Sequence, residues 1–203
     1  MNLADKLTLF RIILSPVFML VYFLPKSFSF WTVPLLIIIY VGSGVTDYLD
    51  GYAARKYNLT SDFGKLFDPF ADSLVQITFF LCFLIDGIWG SGIFPVVLFL
   101  IVIYRELSIL FIRNLMLQKG ITLGARKSGK VKTVAYIVAG SVALFAVSVE
   151  RLVSLIAPDM VILQIIVNYI RISALVIFTI SVIIAIVSFI DYIIVYQKTG
   201  KTK

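Results

Sequence analysis

Histidine is missing from this chain of 203 residues, and cysteine occurs once, at Cys82. Without histidine, the protein lacks the commonest general base at neutral pH and the commonest protein ligand of transition metals. A single cysteine inside an apolar run also excludes a disulfide framework and a thiolate metal cluster. Any catalytic chemistry must therefore use carboxylates, lysine, arginine or hydroxyl groups.

Charged residues are scarce as well, at 14% of the chain, whereas 61% of the residues are hydrophobic. The mean hydropathy is +1.04. A soluble domain has about 25% charged and 45–50% apolar residues, so this composition predicts an all-α integral membrane protein. Because one span needs about 20 residues, six transmembrane helices would use most of the chain. We therefore expect a single membrane domain over residues 1–203, with no separate soluble domain.

The apolar runs predict six spans, with a short interfacial helix before Arg11 at the N-terminus. The predicted spans cover about residues 7–24, 32–52, 63–85, 93–116, 131–156 and 172–196. A glycine cluster predicts a turn between the third and fourth spans, at Gly87, Gly90 and Gly92. Residues 160–171 are expected to form an interfacial segment that leads into the last span.

Lysine and arginine are distributed unequally between the two sets of loops. One set holds Lys6, Arg11, Arg55, Lys56, Lys65, Arg113, Lys119, Arg126, Lys127, Lys130, Lys132, Lys198, Lys201 and Lys203. The other set holds Lys26 and Arg151, with Arg171 near its edge. Because cytoplasmic loops carry the excess of basic residues, both termini and the second–third and fourth–fifth loops are expected in the cytoplasm. The net charge of +7 beside membrane spans favours anionic lipid or phosphate as the partner, and not nucleic acid.

Four aspartates lie at two helical spacings in one stretch of the sequence. Asp47 and Asp50 are three residues apart. Asp68 and Asp72 are four residues apart, and either spacing places a pair on one face of a helix. The polar break at residues 56–62 turns the chain back, so the two helices are expected to be antiparallel neighbours. Their acidic faces can then converge near the cytoplasmic ends of the second and third spans.

Carboxylates at close range repel one another, and each charge is costly at membrane depth. Divalent cations would remove both problems, and oxygen ligands without histidine or thiolate favour Mg²⁺ or Mn²⁺, or Ca²⁺. Two cations on shared carboxylates would suit phosphate chemistry, because they clamp a diphosphate and its leaving oxygen. The alternative is that the aspartates are helix caps or loop charges. Gly51 and Gly64 likewise permit either close approach of a ligand or helix packing.

The aspartates belong to a longer string with fixed gaps. It reads Asp47-x-x-Asp50-Gly51-x-x-Ala54-Arg55, then eight residues, then Gly64-x-x-x-Asp68-x-x-x-Asp72. This string resembles the signature of the CDP-alcohol phosphotransferase family at every position and in both gaps. The resemblance implies a homodimer with a polar cavity that faces the cytoplasm. It also implies transfer of a phospho-group from a CDP-linked donor to an alcohol, with release of CMP.

The same resemblance implies a role for each residue of the signature. The four aspartates would hold two divalent metals, Mg²⁺ or Mn²⁺, with Asp47 and Asp68 as bridging ligands. Asp72 would also deprotonate the attacking hydroxyl, as an aspartate beside a bound and polarised alcohol can do. The cytidine diphosphate of the donor would be lined by Gly51, Ala54, Arg55, Ser61 and Gly64.

Three further stretches bear on the acceptor. They are Leu7-Thr8-x-x-Arg11-x-x-x-x-Pro16, Arg105-Glu106 with Arg113 eight residues on, and Gly129-Lys130-Val131-Lys132-Thr133. They resemble bacterial phosphatidylglycerophosphate synthases within the family, although Leu3-Ala4-Asp5 stands where that group has Ile-Pro-Asn. This resemblance implies CDP-diacylglycerol as donor and sn-glycerol 3-phosphate as acceptor. It also implies an enzyme of phospholipid biosynthesis in the bacterial cytoplasmic membrane.

A phosphate-bearing acceptor needs cations, and the candidates are Arg105, Arg113, Lys130 and Lys132. Arg105 lies deep in its span, where an arginine needs a partner or a polar cavity. An ion pair with Glu106 or an aspartate is the alternative for Arg105, and membrane orientation alone is the alternative for the two lysines.

Other functions remain compatible with parts of the pattern. Within the family, the acceptor can instead be inositol phosphate, serine, choline or ethanolamine, or phosphatidylglycerol. A divalent-cation carrier or channel would use the acidic cluster as a permeation site. Such a protein has no use for Arg55, and its carboxylates would be expected at the midplane instead of on one side.

Overall fold

The computed structural model describes the backbone of residues 3–57, 62–118 and 127–200, and the side chains of residues 6–47, 67–118 and 127–197. All regular structure in these ranges is helical, which confirms the predicted class. The helices are α1 (Leu3–Tyr22), α2 (Ser29–Tyr57), α3 (Asp62–Ile85), α4 (Ile93–Gln118), α5 (Lys127–Ile156) and α6 (Val161–Gly200). A 3₁₀ turn, Lys26–Phe28, precedes α2.

Five helical stretches among the described residues are long and apolar enough to cross a membrane. They are Lys26–Asp47, Phe67–Ile85, Ile93–Gln118, Lys127–Ile156 and Val161–Gln197. The first helix, α1, is not one of these five, and it carries Asp5, Lys6 and Arg11 in its first three turns. Five of the six predicted spans therefore have counterparts with the length and composition of a span.

The ends of the chain differ from the sequence-based prediction. The expected interfacial helix before Arg11 is not a separate element, because α1 continues through Arg11 and Pro16 without a break. No break separates the expected interfacial segment before Arg171 from the last span, since α6 is one helix of 40 residues. No proline or glycine occurs between Val161 and Thr199, so nothing in this sequence stops the helix. At 1.5 Å per residue, α6 is about 60 Å long.

The described residues form two compact units. The first comprises Met1–Cys82 and Val147–Ile165. In it α1 packs against α2, and aromatic rings join α1, α2 and α3. The Phe79 ring lies 4.4 Å from that of Phe18 and 5.1 Å from that of Tyr40, measured between centroids.

An arginine of α5 caps the C-terminal end of α1 in the first unit. Arg151 is 4% exposed, and its Nη2 donates a hydrogen bond of 2.6 Å to the carbonyl oxygen of Tyr22. Its guanidinium carbon lies 4.7 Å from the centroid of the Tyr22 ring. A cation at the C-terminal end of a helix is stabilised by the helix dipole and satisfies a carbonyl that has no partner within the helix.

The second unit comprises Phe83–Ala146 and Ile166–Lys203. The predicted glycine turn is confirmed, because Gly87, Gly90 and Gly92 have φ values of 70°, 87° and 116°. These values lie in the left-handed region that side chains with a Cβ avoid. Within the turn, the Trp89 ring stacks on that of Phe178 at 3.7 Å.

Candidate active site

The buried side of α1 changes from polar to aromatic along the helix. Its buried residues at alternating spacings of three and four are Thr8, Arg11, Ser15, Phe18 and Tyr22. This spacing forms one face of a helix. The C-terminal half of this face carries the aromatic rings of Phe18 and Tyr22. The N-terminal half places the buried hydroxyl of Thr8 and the buried Arg11 among the helices of the first unit.

The facing helices carry their own polar groups where the N-terminal half of α1 needs partners. Ser43 lies at the middle of α2 and Asp47 in its C-terminal half, and Asp68 and Asp72 lie in the N-terminal half of α3. Hydrogen bonds from α1 reach three of these four residues, namely Asp47, Asp68 and Asp72. The predicted convergence of the second and third helices is therefore supported at the level of individual side chains.

Arg11 lies between two of the predicted metal-binding carboxylates, those of Asp47 and Asp72. Its Nη1 atom is 2.7 Å from Oδ1 of Asp47 and 2.6 Å from Oδ1 of Asp72. The arginine side chain is 3% exposed, whereas the aspartate side chains are 55% and 51% exposed. One buried nitrogen thus neutralises part of the charge on two carboxylates of different helices, whose remaining surface is open.

A second contact from α1 holds Asp68, the third aspartate of the signature whose side chain the structure describes. The Thr8 hydroxyl donates a hydrogen bond of 2.7 Å to Oδ1 of Asp68, and Thr8 is fully buried. Because Thr8 and Arg11 are three residues apart, they lie on the same face of α1. This face therefore orients aspartates from both α2 and α3.

The donor set fits a hard divalent cation. Arg11 Nη1 shows that oxygen atoms of Asp47 and Asp72 can share one positively charged partner at contact distance. Carboxylate oxygens are the ligands that Mg²⁺ and Mn²⁺ prefer. No three metal-binding side chains form a cluster among those the structure describes. The predicted fourth ligand, Asp50, lies outside the described side chains.

The side chains of the predicted donor site lie outside the described residues. The backbones of Gly51, Ala54 and Arg55 continue α2, and the backbone of Gly64 belongs to α3. Their side-chain surroundings lie outside the described residues, as does Ser61 altogether. Their assignment to the cytidine diphosphate stays a prediction.

The second unit contains a separate buried polar cluster built from α4, α5 and α6. Arg105 Nη1 donates to Oε1 of Glu106 at 2.9 Å, and its Nη2 donates to Oγ of Ser188 at 3.2 Å. Lys132 Nζ lies 2.8 Å from the same Glu106 oxygen and 4.5 Å from the centroid of the Tyr136 ring. Two of the four predicted phosphate-binding cations therefore meet on one carboxylate.

The other two predicted cations are placed differently. Arg113 is partly buried and Lys130 is exposed, and neither contributes a contact to the Glu106 cluster among the described side chains. Lys130 and Lys132 both lie on α5, in its first two turns. Residues two apart on a helix point to different sides, so Lys132 faces the cluster whereas Lys130 does not.

The contacts of Thr8 and Arg11 were not predicted from the sequence. Both residues belong to the opening segment that resembles the family, and Arg11 also belongs to the basic residues that predict the orientation. One signal was present, because an arginine within an apolar run needs a counter-charge. The aspartates predicted for the same end of the neighbouring helices were the available anions.

Comparison with known proteins identifies the family. The profile of the CDP-alcohol phosphatidyltransferase family matches residues 1–177. Three bacterial relatives bear the name CDP-diacylglycerol–glycerol-3-phosphate 3-phosphatidyltransferase. The Bacillus subtilis protein is 33% identical over 152 residues, which cover 70% of this chain and 76% of that protein. The Escherichia coli K12 protein is 37% identical over 145 residues, or 68% of this chain and 74% of that protein.

The third relative, from Treponema pallidum, is 42% identical over 100 residues, which cover 49% of this chain and 44% of that protein. The match to it thus spans less than half of its length. The residues that the family profile matches include the aspartate signature at residues 47–72. The chain belongs to the CDP-alcohol phosphatidyltransferase family.

Proposed function

We propose that the chain transfers the phosphatidyl group of CDP-diacylglycerol to sn-glycerol 3-phosphate, giving phosphatidylglycerophosphate and CMP. The observation that carries the proposal is the convergence of Asp47 and Asp72 on one guanidinium nitrogen of Arg11. The names of the relatives support the choice of donor and acceptor. The acceptor hydroxyl oxygen would bond to the phosphatidyl phosphorus as the bond from that phosphorus to the CMP oxygen breaks.

The four signature aspartates are proposed to hold two divalent cations, Mg²⁺ or Mn²⁺. Cations bound there would neutralise the diphosphate of the donor and the departing CMP. Asp47 and Asp68 are proposed as the ligands shared by both ions, with Asp50 and Asp72 completing the set. Thr8 supports this arrangement, because its hydrogen bond fixes one oxygen of Asp68.

The remaining steps fall to side chains of the protein. Asp72 is proposed to accept the proton of the attacking hydroxyl, since a carboxylate in reach of the nucleophile can act as a general base. Arg11 fixes the orientation of the Asp72 carboxylate through a hydrogen bond of 2.6 Å. The donor diphosphate is proposed to contact Arg55, whose planar guanidinium suits phosphate. Gly51, Ala54, Ser61 and Gly64 would line the nucleotide.

The reaction is tested by measuring CMP release from the purified protein in detergent with CDP-diacylglycerol and Mg²⁺ or Mn²⁺. The acceptors supplied in parallel are glycerol 3-phosphate, inositol phosphate, serine, choline, ethanolamine and phosphatidylglycerol. We expect release of CMP with glycerol 3-phosphate and recovery of phosphatidylglycerophosphate. Release with a different acceptor alone would refute the proposed substrate and keep the family chemistry.

Arg105, Arg113, Lys130 and Lys132 are proposed to bind the acceptor phosphate. We expect Arg105→Gln to raise the KM for glycerol 3-phosphate by about 10- to 150-fold, because a charge-assisted hydrogen bond is worth about 1.5–3 kcal/mol. The KM for the donor should change much less. Arg105 is the strongest candidate, since its buried Nε has no hydrogen-bond partner among the described residues.

The control for this substitution is Arg171→Gln, also in the second unit, where the arginine donates to the carbonyl oxygen of Gly87. It should leave the acceptor KM near that of the parent. Lys132→Gln tests the second cation on Glu106. An unchanged acceptor KM in both Arg105→Gln and Lys132→Gln would show that the phosphate binds elsewhere.

We propose that α1 and the five candidate spans together form a six-span membrane domain with both termini and the aspartates at the cytoplasmic side. The excess of basic residues in one set of loops supports this orientation. The resemblance to the family extends the proposal to a homodimer in the bacterial cytoplasmic membrane, with residues 1–203 acting as one catalytic domain.

Orientation can be measured with single cysteines in a Cys82→Ser background. We expect Lys127→Cys to react with a membrane-impermeant maleimide from the cytoplasm only. Ser91→Cys, in the exposed turn between α3 and α4, should react from the outside only. Both native side chains are exposed, so reaction from the opposite sides would reverse the proposed orientation.

A further inference from the structure

Arg11 presents a charge that the aspartate chemistry does not require. An arginine side chain stays protonated in proteins, and this one is 3% exposed. One of its nitrogens bonds to Asp47 and Asp72 together. The formal charge of the three groups is therefore one negative unit instead of two.

A positive group in this position opposes any other cation on the same carboxylates. Charges of like sign a few ångströms apart repel strongly, and poorly solvated surroundings increase the repulsion. The Arg11 guanidinium is buried, whereas about half of the surface of each aspartate side chain is exposed. A divalent cation that approaches from the open side would therefore meet the arginine charge beside both carboxylates.

A bound diphosphate would offset this repulsion between Arg11 and a divalent cation. It brings several negative charges to the same place, so it can offset the arginine and the incoming cations together. We propose that Arg11 makes divalent-cation binding at Asp47 and Asp72 depend on the diphosphate of the donor, an inference that rests on the proposed function. By linkage, the cation must strengthen diphosphate binding by the same factor.

A second arginine of the first unit provides a matched comparison. Arg151 is 4% exposed, as deeply buried as Arg11. Its described contacts are with the carbonyl oxygen and the ring of Tyr22, not with an aspartate. Loss of Arg151 therefore removes a buried guanidinium and its packing from the same unit and leaves the charge beside Asp47 and Asp72 unchanged.

The test measures Mn²⁺ binding to the full chain in detergent by electron paramagnetic resonance, without nucleotide and with CDP as a water-soluble diphosphate. For the parent protein we expect weak Mn²⁺ binding that CDP tightens. Arg11→Gln should bind Mn²⁺ about 5- to 150-fold more tightly without CDP, the usual range of coupling between two sites, and should gain less when CDP is added. Arg151→Gln should behave like the parent.

Two further variants distinguish an effect of the Arg11 charge from an effect on folding. Arg11→Lys keeps a positive charge and should retain most of the CDP dependence, whereas Arg11→Met should resemble Arg11→Gln. Circular dichroism and elution volume establish that each variant is folded. If Lys and the neutral residues have the same effect, the charge of Arg11 is not responsible and the inference is wrong.

The remaining outcomes distinguish the inference from the proposed function. Equal Mn²⁺ affinity and equal CDP dependence in Arg11→Gln and the parent would overturn the inference while the metal site stands. Weaker Mn²⁺ binding in Arg11→Gln would also overturn it, because Arg11 would then support the cation. An absence of CDP dependence in the parent contradicts it without any variant. No Mn²⁺ binding by the parent under either condition would instead contradict the metal chemistry of the proposed function.

Discussion

Replacing Asp47 or Asp68 with alanine should reduce CMP release by at least about 10³-fold. Each substitution removes a carboxylate proposed to be shared by two cations, and metal ions supply several kcal/mol of charge stabilisation to such reactions. About 4 kcal/mol corresponds to about 10³-fold in rate. The measurement is CMP release at saturating CDP-diacylglycerol, with the Mg²⁺ or Mn²⁺ concentration varied so that weakened metal binding is detected separately.

Asp159→Ala is the control, because Asp159 is an exposed aspartate in the link between α5 and α6. It should retain the activity of the parent. Exhaustive treatment with EDTA should inactivate the parent, and Mg²⁺ or Mn²⁺ should restore it. Full activity after chelation, or in Asp47→Ala, would exclude the two-metal mechanism.

The helices that glycine and charge delimit could be predicted closely from the sequence. The predicted third span at residues 63–85 corresponds to Asp62–Ile85, and the fourth at residues 93–116 to Ile93–Gln118. Between the end of α3 and the start of α4, the three glycines adopt positive φ values. Composition and local backbone preference are sufficient here, because both signals lie within a few residues of the helix ends.

The length of α6 could not be predicted from apolar composition. The prediction divided residues 160–196 at Arg171, because the apolar stretch is too long for one straight span. In the structure Arg171 lies inside the helix and donates to the carbonyl oxygen of Gly87. A tertiary partner from a distant part of the sequence thus makes the charge acceptable within a continuous helix, and hydropathy carries no information about that partner.

The convergence of the aspartates was predictable, whereas the position of Arg11 between two of them was not. Helical spacing and a short connection were enough to place Asp47 near Asp72. The contribution of α1 depends on how a third helix packs, and only the structure shows Arg11 between the two carboxylates. The site residues on α2 beyond Asp47 lie outside the described side chains, so their proposed roles rest on the sequence pattern.

The two polar clusters, each with a buried arginine, follow the same electrostatic principle. Arg11 partly neutralises Asp47 and Asp72, and Glu106 partly neutralises Arg105 and Lys132. The alternative that Arg105 pairs with Glu106 is therefore realised in the structure. It is compatible with phosphate binding, because a carboxylate that holds two cations together can share them with an anionic ligand. Burial of unpaired charge is costly, so internal counter-ions stabilise each set before a ligand arrives.

The second large effect is expected for Asp72→Asn, which should lower turnover by at least about 10²-fold, the usual scale for removal of a general base. Asparagine keeps the shape of the side chain and one oxygen that can accept the hydrogen bond of Arg11. It cannot take up the proton of the acceptor hydroxyl. The KM for CDP-diacylglycerol should change much less than kcat, because the donor is held mainly by other groups.

Asp72 is proposed both as base and as metal ligand, so the rate of Asp72→Asn must be measured together with Mn²⁺ and CDP affinity. If both affinities stay within a few-fold of the parent while kcat falls, the loss belongs to proton transfer. Asp72→Glu, which restores a carboxylate on a longer side chain, should recover part of that loss. Turnover near that of the parent in Asp72→Asn would show that another group, or water, accepts the proton, and the role of Asp72 would be limited to binding the cation.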